Sequence, residues 1–255
     1  MALGRVLSVR FQALAVDYDG TLARHGLVEE STVDALRRVR PSGRRLLLVT
    51  GRELPSLFRT FAHADLFDLV VAENGGLLYE PATGQERPLA DPPPPRLVEA
   101  LRARGVQPLS VGRVVVATAE PHEITALEVI HQLGLGHKVV FNKQAVMLLP
   151  PGVDKASGLA AALALLGLDP AGVVGVGDAE NDHALLQVCG FGVAVANALP
   201  ALKERADYVT AGERGAGVVE LVERLLSTDL GDLARARARG RTPPDVSSGG
   251  GSRTP

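Results

Sequence analysis

Three short apolar runs, Phe11–Val16, Leu46–Val49 and Val173–Val176, each break off into a polar, glycine-containing segment, and this repeated transition limits the folds open to the chain. Uninterrupted runs of this length suit strands covered on both faces, as in a parallel sheet sandwiched between helices. The intervening sequence fits. A helix starting near Ser31 is amphipathic through Val33, Leu36 and Val39 and stops before Pro41-Ser42-Gly43. A second follows from Pro55, with Leu57, Phe58 and Phe61 on one side, and Leu69–Ala72 reads as the next strand. The βαβαβ order predicts an α/β fold with a doubly wound, Rossmann-like parallel sheet, whose ligand crevice lies beyond the carboxyl ends of the strands.

The alternation then changes. Glu73-Asn74-Gly75-Gly76 reads as a turn, Leu77–Tyr79 and Glu86–Leu89 as a hairpin, and Asp91-Pro92-Pro93-Pro94-Pro95 as a stiff connector. Helices over Leu97–Arg104 and Glu123–Leu133 alternate with strands around Val114–Ala117, Lys138–Phe141 and Val146–Leu149. This predicts a smaller inserted α/β unit at 80–151, tied near Tyr79–Pro81 and Pro150–Val153. The main unit spans 11–79 and 152–226, resuming with a helix over Lys155–Leu166 and closing with one over Gly217–Leu226. Residues 227–255 carry an Arg/Ala run and a Pro/Ser/Gly-rich end, a composition expected of a disordered tail.

Composition narrows the function classes. The 255 residues are 46% hydrophobic, enough for a substantial core, and a formal net charge of −2 gives no electrostatic reason to expect nucleic acid or an anionic membrane as partner. Gly158–Gly177 is apolar enough to suggest a membrane span, but Asp169-Pro170 divides it into a helix and a strand. A lone cysteine, Cys189, excludes an intrachain disulfide and suits a reducing compartment. The mixed segment Met1–Arg10 does not read as a signal peptide, so a cytoplasmic protein with a small soluble partner is expected. Oligomeric state is not legible.

The segments after the strands carry the chemistry. Asp17 and Asp19, two apart at a strand end, project to the same side of an extended backbone. One carboxylate can then attack phosphorus while the other protonates the leaving oxygen. Taken alone, Asp-x-Asp is equally a pair of loop-capping carboxylates. Attack on a phosphate dianion is opposed by like charge and calls for a divalent cation. Asp178 and Asp182 follow the strand Val173–Val176, and hard oxygen ligands of this kind suit Mg²⁺, although the loop by itself also fits a calcium-type or helix-capping turn. Thr50 and the Gly51 amide sit where hydroxyl and N–H can donate to phosphate oxygens, or simply form a turn. Lys155 opens a helix, where the dipole disfavours a cation unless the charge serves a phosphate or a carboxylate.

The order Asp17-Tyr18-Asp19-Gly20-Thr21, Thr50-Gly51-Arg52, Lys155 and Gly177-Asp178-Ala179-Glu180-Asn181-Asp182 closely resembles the haloacid dehalogenase-like phosphatase superfamily. The insert resembles the C2B cap of its Cof-type, sugar-phosphatase branch, and the resemblance covers about residues 11–226. It implies Asp17 as the nucleophile of an aspartyl-phosphate and Asp19 as general acid and then base. It also implies Mg²⁺ on Asp17, the Asp19 carbonyl and Asp178, with Asn181 and Asp182 supporting it or its waters and Asp182 a further metal-site carboxylate. Thr50 and Lys155 then hold the phosphoryl group. Ala156, where the family usually has Gly, and Leu185, where Met is frequent, remove no functional group.

Arg52 and Asn74 are substrate-binding candidates, set against an ion pair and plain turn chemistry respectively; His122, His131 and Asn142 are weaker ones in the insert, and Cys189 reads as core. The resulting expectation is a Mg²⁺-dependent phosphatase of a small phosphorylated sugar or acid. A phosphomutase of the same cap class, and a non-catalytic sugar-phosphate or protein-binding module, are the rival readings.

Overall fold

In the computed structural model residues 9–142 and 144–233 are described. The main unit begins with β1 (Ala13–Asp17), α1 (Glu30–Arg37), β2 (Arg45–Val49), α2 (Leu54–Thr60) and β3 (Leu69–Ala72), then the hairpin β4 (Leu77–Glu80) and β5 (Gln85–Pro88). The insert contains α3 (Pro95–Ala103), β6 (Ser110–Val111), β7 (Val116–Ala119), α4 (Glu123–Gln132), β8 (Lys138–Asn142) and β9 (Ala145–Leu149). The main unit resumes with α5 (Lys155–Leu166), β10 (Val173–Gly177), α6 (His183–Val188), β11 (Phe191–Ala194), α7 (Pro200–Lys203), β12 (Tyr208–Val209) and α8 (Arg214–Thr228).

The large sheet has the order β12-β11-β10-β1-β2-β3-β4-β5. Its strands are parallel from β12 to β3, and β4 and β5 add an antiparallel edge. β1, β2, β3, β10 and β11 are buried almost throughout, which explains their near-continuous apolar sequences. Register aligns Asp17 with Val49 and Val16 with Val176, so the segments after β1, β2 and β10 leave the sheet at one edge. The helices follow from their patterns. Val33 and Leu36 of α1 are buried while its Arg37 pairs with Glu30 and Asp34 in solvent, and α8 buries Val218, Leu221, Val222 and Leu225.

α5 explains the apolar stretch that resembled a membrane span. It starts with a reciprocal cap between Asp154 and Ser157 and ends at Gly167, and β10 follows after a break. No helix of the described residues is long and apolar enough to cross a membrane. The start of α5 packs against the turn after β3. Gly75 has φ +102°, and a Cβ there would meet the Asp154 carbonyl oxygen at 1.8 Å. Glycine is required for this contact, which brings the start of α5 to the site.

The insert forms its own antiparallel sheet, β6-β7-β9-β8. Its two helices cover it through a core containing Leu97, Leu101, Val116, Val129 and Leu148. Two boundaries differ from the sequence reading. The insert was expected to start at 80, but β5 pairs with β4 and extends the large sheet, so the crossing falls after Pro88. The expected hairpin is present, but its second strand is exposed and polar, Gln-Glu-Arg-Pro, and carries no apolar face to show which sheet it joins. The main unit was expected to end at 226, but α8 runs to Thr228 and Leu230 is fully buried. Asp229 explains the extension, since it accepts hydrogen bonds from Arg10 N and Phe11 N and pairs with the buried Arg44 at 2.9 Å. Residues 231–233 are also helical, and from residue 234 on the expected disordered tail lies outside the described residues.

Candidate active site

Asp17 closes β1 and is 2% exposed, a costly position for a carboxylate unless it is paired. Lys155, fully buried at the first position of α5, reaches it with Nζ 2.5 Å from Asp17 Oδ1 and 2.6 Å from Asp182 Oδ1. Asp182 in turn accepts the N–H groups of Asp178 and Ala179 at Oδ2, both at 2.9 Å, which fixes the loop after β10. Thr21, in the turn after β1, donates its hydroxyl to Asp178 Oδ1 at 3.1 Å and ties the two loops together.

Burial pushes the Asp17 carboxyl well above the usual carboxylate range, Asp182 adds to this, and Lys155 opposes it. Burial alone would lower the Lys155 pKa, but the charges of Asp17 and Asp182 prevail and hold it above its ordinary value. The ammonium therefore stays charged between the two carboxylates.

Asp17, Asp178 and Asp182 each bring one ligand oxygen within 4.8 Å of the others. Three carboxyl groups around a single ammonium leave an excess of acidic groups that a divalent cation would offset. The donors are hard oxygens, as Mg²⁺ prefers. Asn181 Oδ1 is also buried without a hydrogen-bond partner, while its Nδ2 donates to Asn74 Oδ1 at 3.0 Å. The residues present fit a divalent cation.

Asp19 occupies a different environment. Arg52 grips it with both arms of the guanidinium, Nε to Oδ2 at 2.6 Å and Nη2 to Oδ1 at 2.7 Å. Arg52 also donates to Thr60 Oγ1 at 2.9 Å and stacks over the Tyr18 ring at 5.0 Å, and the Tyr18 hydroxyl donates to the Gly26 carbonyl at 2.9 Å. Of the two roles considered for Arg52, the structure displays the ion pair. Thr50 is buried just beyond β2, where its hydroxyl accepts Arg52 N–H at 3.1 Å and its carbonyl accepts Asn74 N–H at 2.9 Å.

A cleft of about 950 Å³ opens beside Asp19 between the main unit and the insert. The main unit lines it with Asp19, Gly20, Arg24, His25, Gly51, Arg52, Arg59 and Arg214; the insert supplies Ser110, Val115, Ala117, Asn142 and Met147. Gly51 lies against the insert, and a Cβ there would sit 3.4 Å from the Met147 sulfur and 3.5 Å from Asn142 Nδ2. A ligand entering here would reach the phosphate-side loop past a wall made by the insert.

The structure thus brings together Asp17, Asp178, Asp182 and Lys155, with Asn74 and Asn181 bridging adjacent loops and Asp19, Gly51 and Arg52 at the cleft. Asn142 lines the cleft, whereas His122 bonds the Gln107 carbonyl at 2.9 Å and His131 is exposed. Cys189 is buried, and burial pushes its thiol up to about 12. Sequence reasoning passed over three contributors: Tyr18 behind Arg52, Thr21 on Asp178, and Glu73, whose buried carboxylate holds the insert. Only Thr21, inside the Asp-Gly-Thr turn, carried a local signal.

An α/β core with an inserted cap, and buried carboxylates around a lysine at the strand ends, define the class of a phosphoryl-transfer hydrolase. The chain matches the haloacid dehalogenase-like hydrolase family over residues 14–111 and 114–222, and it belongs to that family. A phosphoglycolate phosphatase of Methanothermobacter thermautotrophicus is 33% identical over 224 residues, spanning 84% of this chain and 99% of the relative. Another, of Archaeoglobus fulgidus, is 32% identical over 226 residues, with 84% and 96% covered. A haloacid dehalogenase-like hydrolase from Bacteroides thetaiotaomicron shares the fold with a TM-score of 0.72 at 21% identity, covering 84% of this chain and 99% of the other. A subclass IIB sugar phosphatase of the same superfamily aligns with a TM-score of 0.68 at 20% identity over 84% of this chain and 98% of the other.

Proposed function

We infer that this member of the family is a Mg²⁺-dependent phosphatase that hydrolyses a small phosphorylated acid, with phosphoglycolate the first candidate, through an aspartyl-phosphate at Asp17. The observation that carries the reading is the pairing of buried Asp17 with buried Lys155 at 2.5 Å, inside a group of carboxylates suited to a divalent cation. The preference for an acid over a sugar rests on the phosphoglycolate phosphatases that match nearly end to end. It is also consistent with Arg24, Arg59 and Arg214 lining the cleft. The reading includes a reducing, cytoplasmic setting, in keeping with one buried cysteine.

In this scheme Asp17, Asp178 and the Asp19 carbonyl would hold the ion, with Asp182 and Asn181 supporting it. When bound, the ion supplies charge that offsets repulsion between Asp17 and a phosphate dianion. Asp17 attacks phosphorus. Lys155 holds the nucleophile in place and, with the Thr50 hydroxyl and Gly51 N–H, offers donors to the phosphoryl oxygens. Asp19, positioned by Arg52, enters the cycle protonated, gives that proton to the leaving oxygen, and regains one from the water that cleaves the phospho-enzyme. The insert acts as a cap that shields this step from bulk solvent.

The test is phosphate release from a panel of phosphorylated acids, sugars and nucleotides with Mg²⁺. Preferential release from small phosphorylated acids supports the reading. Isomerised product without free phosphate would replace it with the mutase.

A further inference from the structure

Glu73 is a carboxylate at 2% exposure with no cation paired to it in the described ion pairs. It is held instead by three backbone N–H groups from the insert. Arg113 N donates to Oε1 at 2.8 Å, and Val114 N and Val115 N donate to Oε2 at 2.8 and 3.1 Å. Such a cluster of charge-assisted bonds to backbone offsets the desolvation of one carboxylate. The contact also demands space. A Cβ on Gly112 would lie 2.5 Å from Glu73 Oε2, closer than side chains tolerate.

The backbone beneath this carboxylate belongs to the site. Glu73 and the following Asn74 both adopt left-handed conformations, with φ 51° and 54°, an uncommon arrangement for two consecutive non-glycine residues. In that turn Glu73 N–H donates to the Arg52 carbonyl at 3.0 Å and Asn74 N–H to the Thr50 carbonyl at 2.9 Å. One strained turn therefore grips the phosphate-side loop with its backbone and the insert with its side chain. Val115, at the far end of the grip, lines the cleft.

We propose that Glu73 is a positioning residue that seats the insert on the Thr50–Arg52 loop and so fixes the leaving-group wall of the cleft. This rests on the phosphatase reading above. Without the carboxylate, the 112–115 segment loses its three acceptor contacts and the wall shifts against Asp19 and Gly51. A small substrate, which depends on that wall for orientation, suffers most. An activated aryl phosphate, whose leaving group needs little positioning or protonation, suffers least.

The experiment compares wild type with Glu73→Gln on 2-phosphoglycolate and on p-nitrophenyl phosphate, with amide hydrogen exchange at 113–115 in both proteins. The expected result is a loss of at least ~20-fold in kcat/KM for 2-phosphoglycolate, about 3-fold or less for the aryl ester, and ~10-fold faster exchange at 113–115. Equal losses on the two substrates, an unchanged kcat/KM for 2-phosphoglycolate, or unchanged exchange would overturn it. Should Glu73→Gln fail to fold, Gly112→Ala displaces the same carboxylate from the other side and must give the same split. If wild type releases phosphate from neither substrate, the phosphatase reading fails, and the exchange measurement still decides whether Glu73 seats the insert.

Discussion

Arg52 engages both carboxylate oxygens of Asp19, at 2.6 and 2.7 Å, so the residue assigned to proton transfer is held in an ion pair beside the cleft. This pair fixes where the Asp19 carboxyl stands at the cleft, so Arg52 positions the general acid. Arg52→Ala is expected to lower kcat for alkyl phosphates by about 10-fold or more and to affect an aryl phosphate less, within the usual range for general acid catalysis. Asp19→Asn should show the same leaving-group dependence in the burst phase, with slower breakdown of the phospho-enzyme in addition. Equal burst rates for the two ester types in wild type and variant would remove Asp19 from the acid role.

Lys155 is fully buried, with its ammonium bonded to both Asp17 and Asp182. Lys155→Met takes the cation from two buried carboxylates, and removing one partner of a buried pair costs about 3–5 kcal/mol. Thermal unfolding should show this loss, and Mg²⁺ should recover more stability in the variant than it adds to wild type. Equal stabilisation of both proteins by the ion would separate Lys155 from the metal-binding carboxylates.

Much of this site was legible because its parts are local. Asp17, Thr50 and Gly177–Asp182 each follow an apolar strand, and parallel strands bring their carboxyl ends to one edge. The pairing of Arg52 with Asp19 was open, since a guanidinium beside a phosphate site suits a substrate or a carboxylate equally. Glu73 was read as turn chemistry because its partners lie 40 to 42 residues away, beyond any periodic pattern. β5 was read as half of a hairpin but assigned to the insert, because an exposed edge strand with no buried side carries nothing that says which sheet it joins. Asp229 and Leu230 were missed because one polar residue and one buried leucine after a helix look like the start of a tail.

Leu230 is fully buried against the main core although it lies beyond α8. Leu230→Ala should cost about 2–4 kcal/mol in urea unfolding, the usual range for a buried leucine. A chain ended at 226 should lose more, because the Asp229 contacts to Arg10, Phe11 and Arg44 go with it. An unchanged midpoint for either protein would restore the earlier boundary.

Cys189 gives a pH prediction with a definite sign. Burial raises its thiol from the ordinary 9.0 to about 12, so between those values the unfolded chain has lost a proton that the folded chain retains. This contribution is fully present below pH 9 and is lost as pH rises through 12, at about 1.4 kcal/mol per unit. Cys189→Ser, lacking an ionisable thiol, should show a shallower decline in stability across that interval. The native thiol should also resist alkylation at pH 8 until the protein is unfolded, and rapid modification of folded protein would contradict its burial.

The central claim is that Asp17 carries the phosphoryl group. The direct test is rapid acid quench of wild-type enzyme with phosphorus-labelled 2-phosphoglycolate and Mg²⁺, followed by peptide mapping. The account predicts transient, hydroxylamine-sensitive label on the peptide containing Asp17, and no label or turnover in Asp17→Asn. Phosphate release by wild type with no labelled peptide at any quench time, together with sustained turnover by Asp17→Asn, would contradict it.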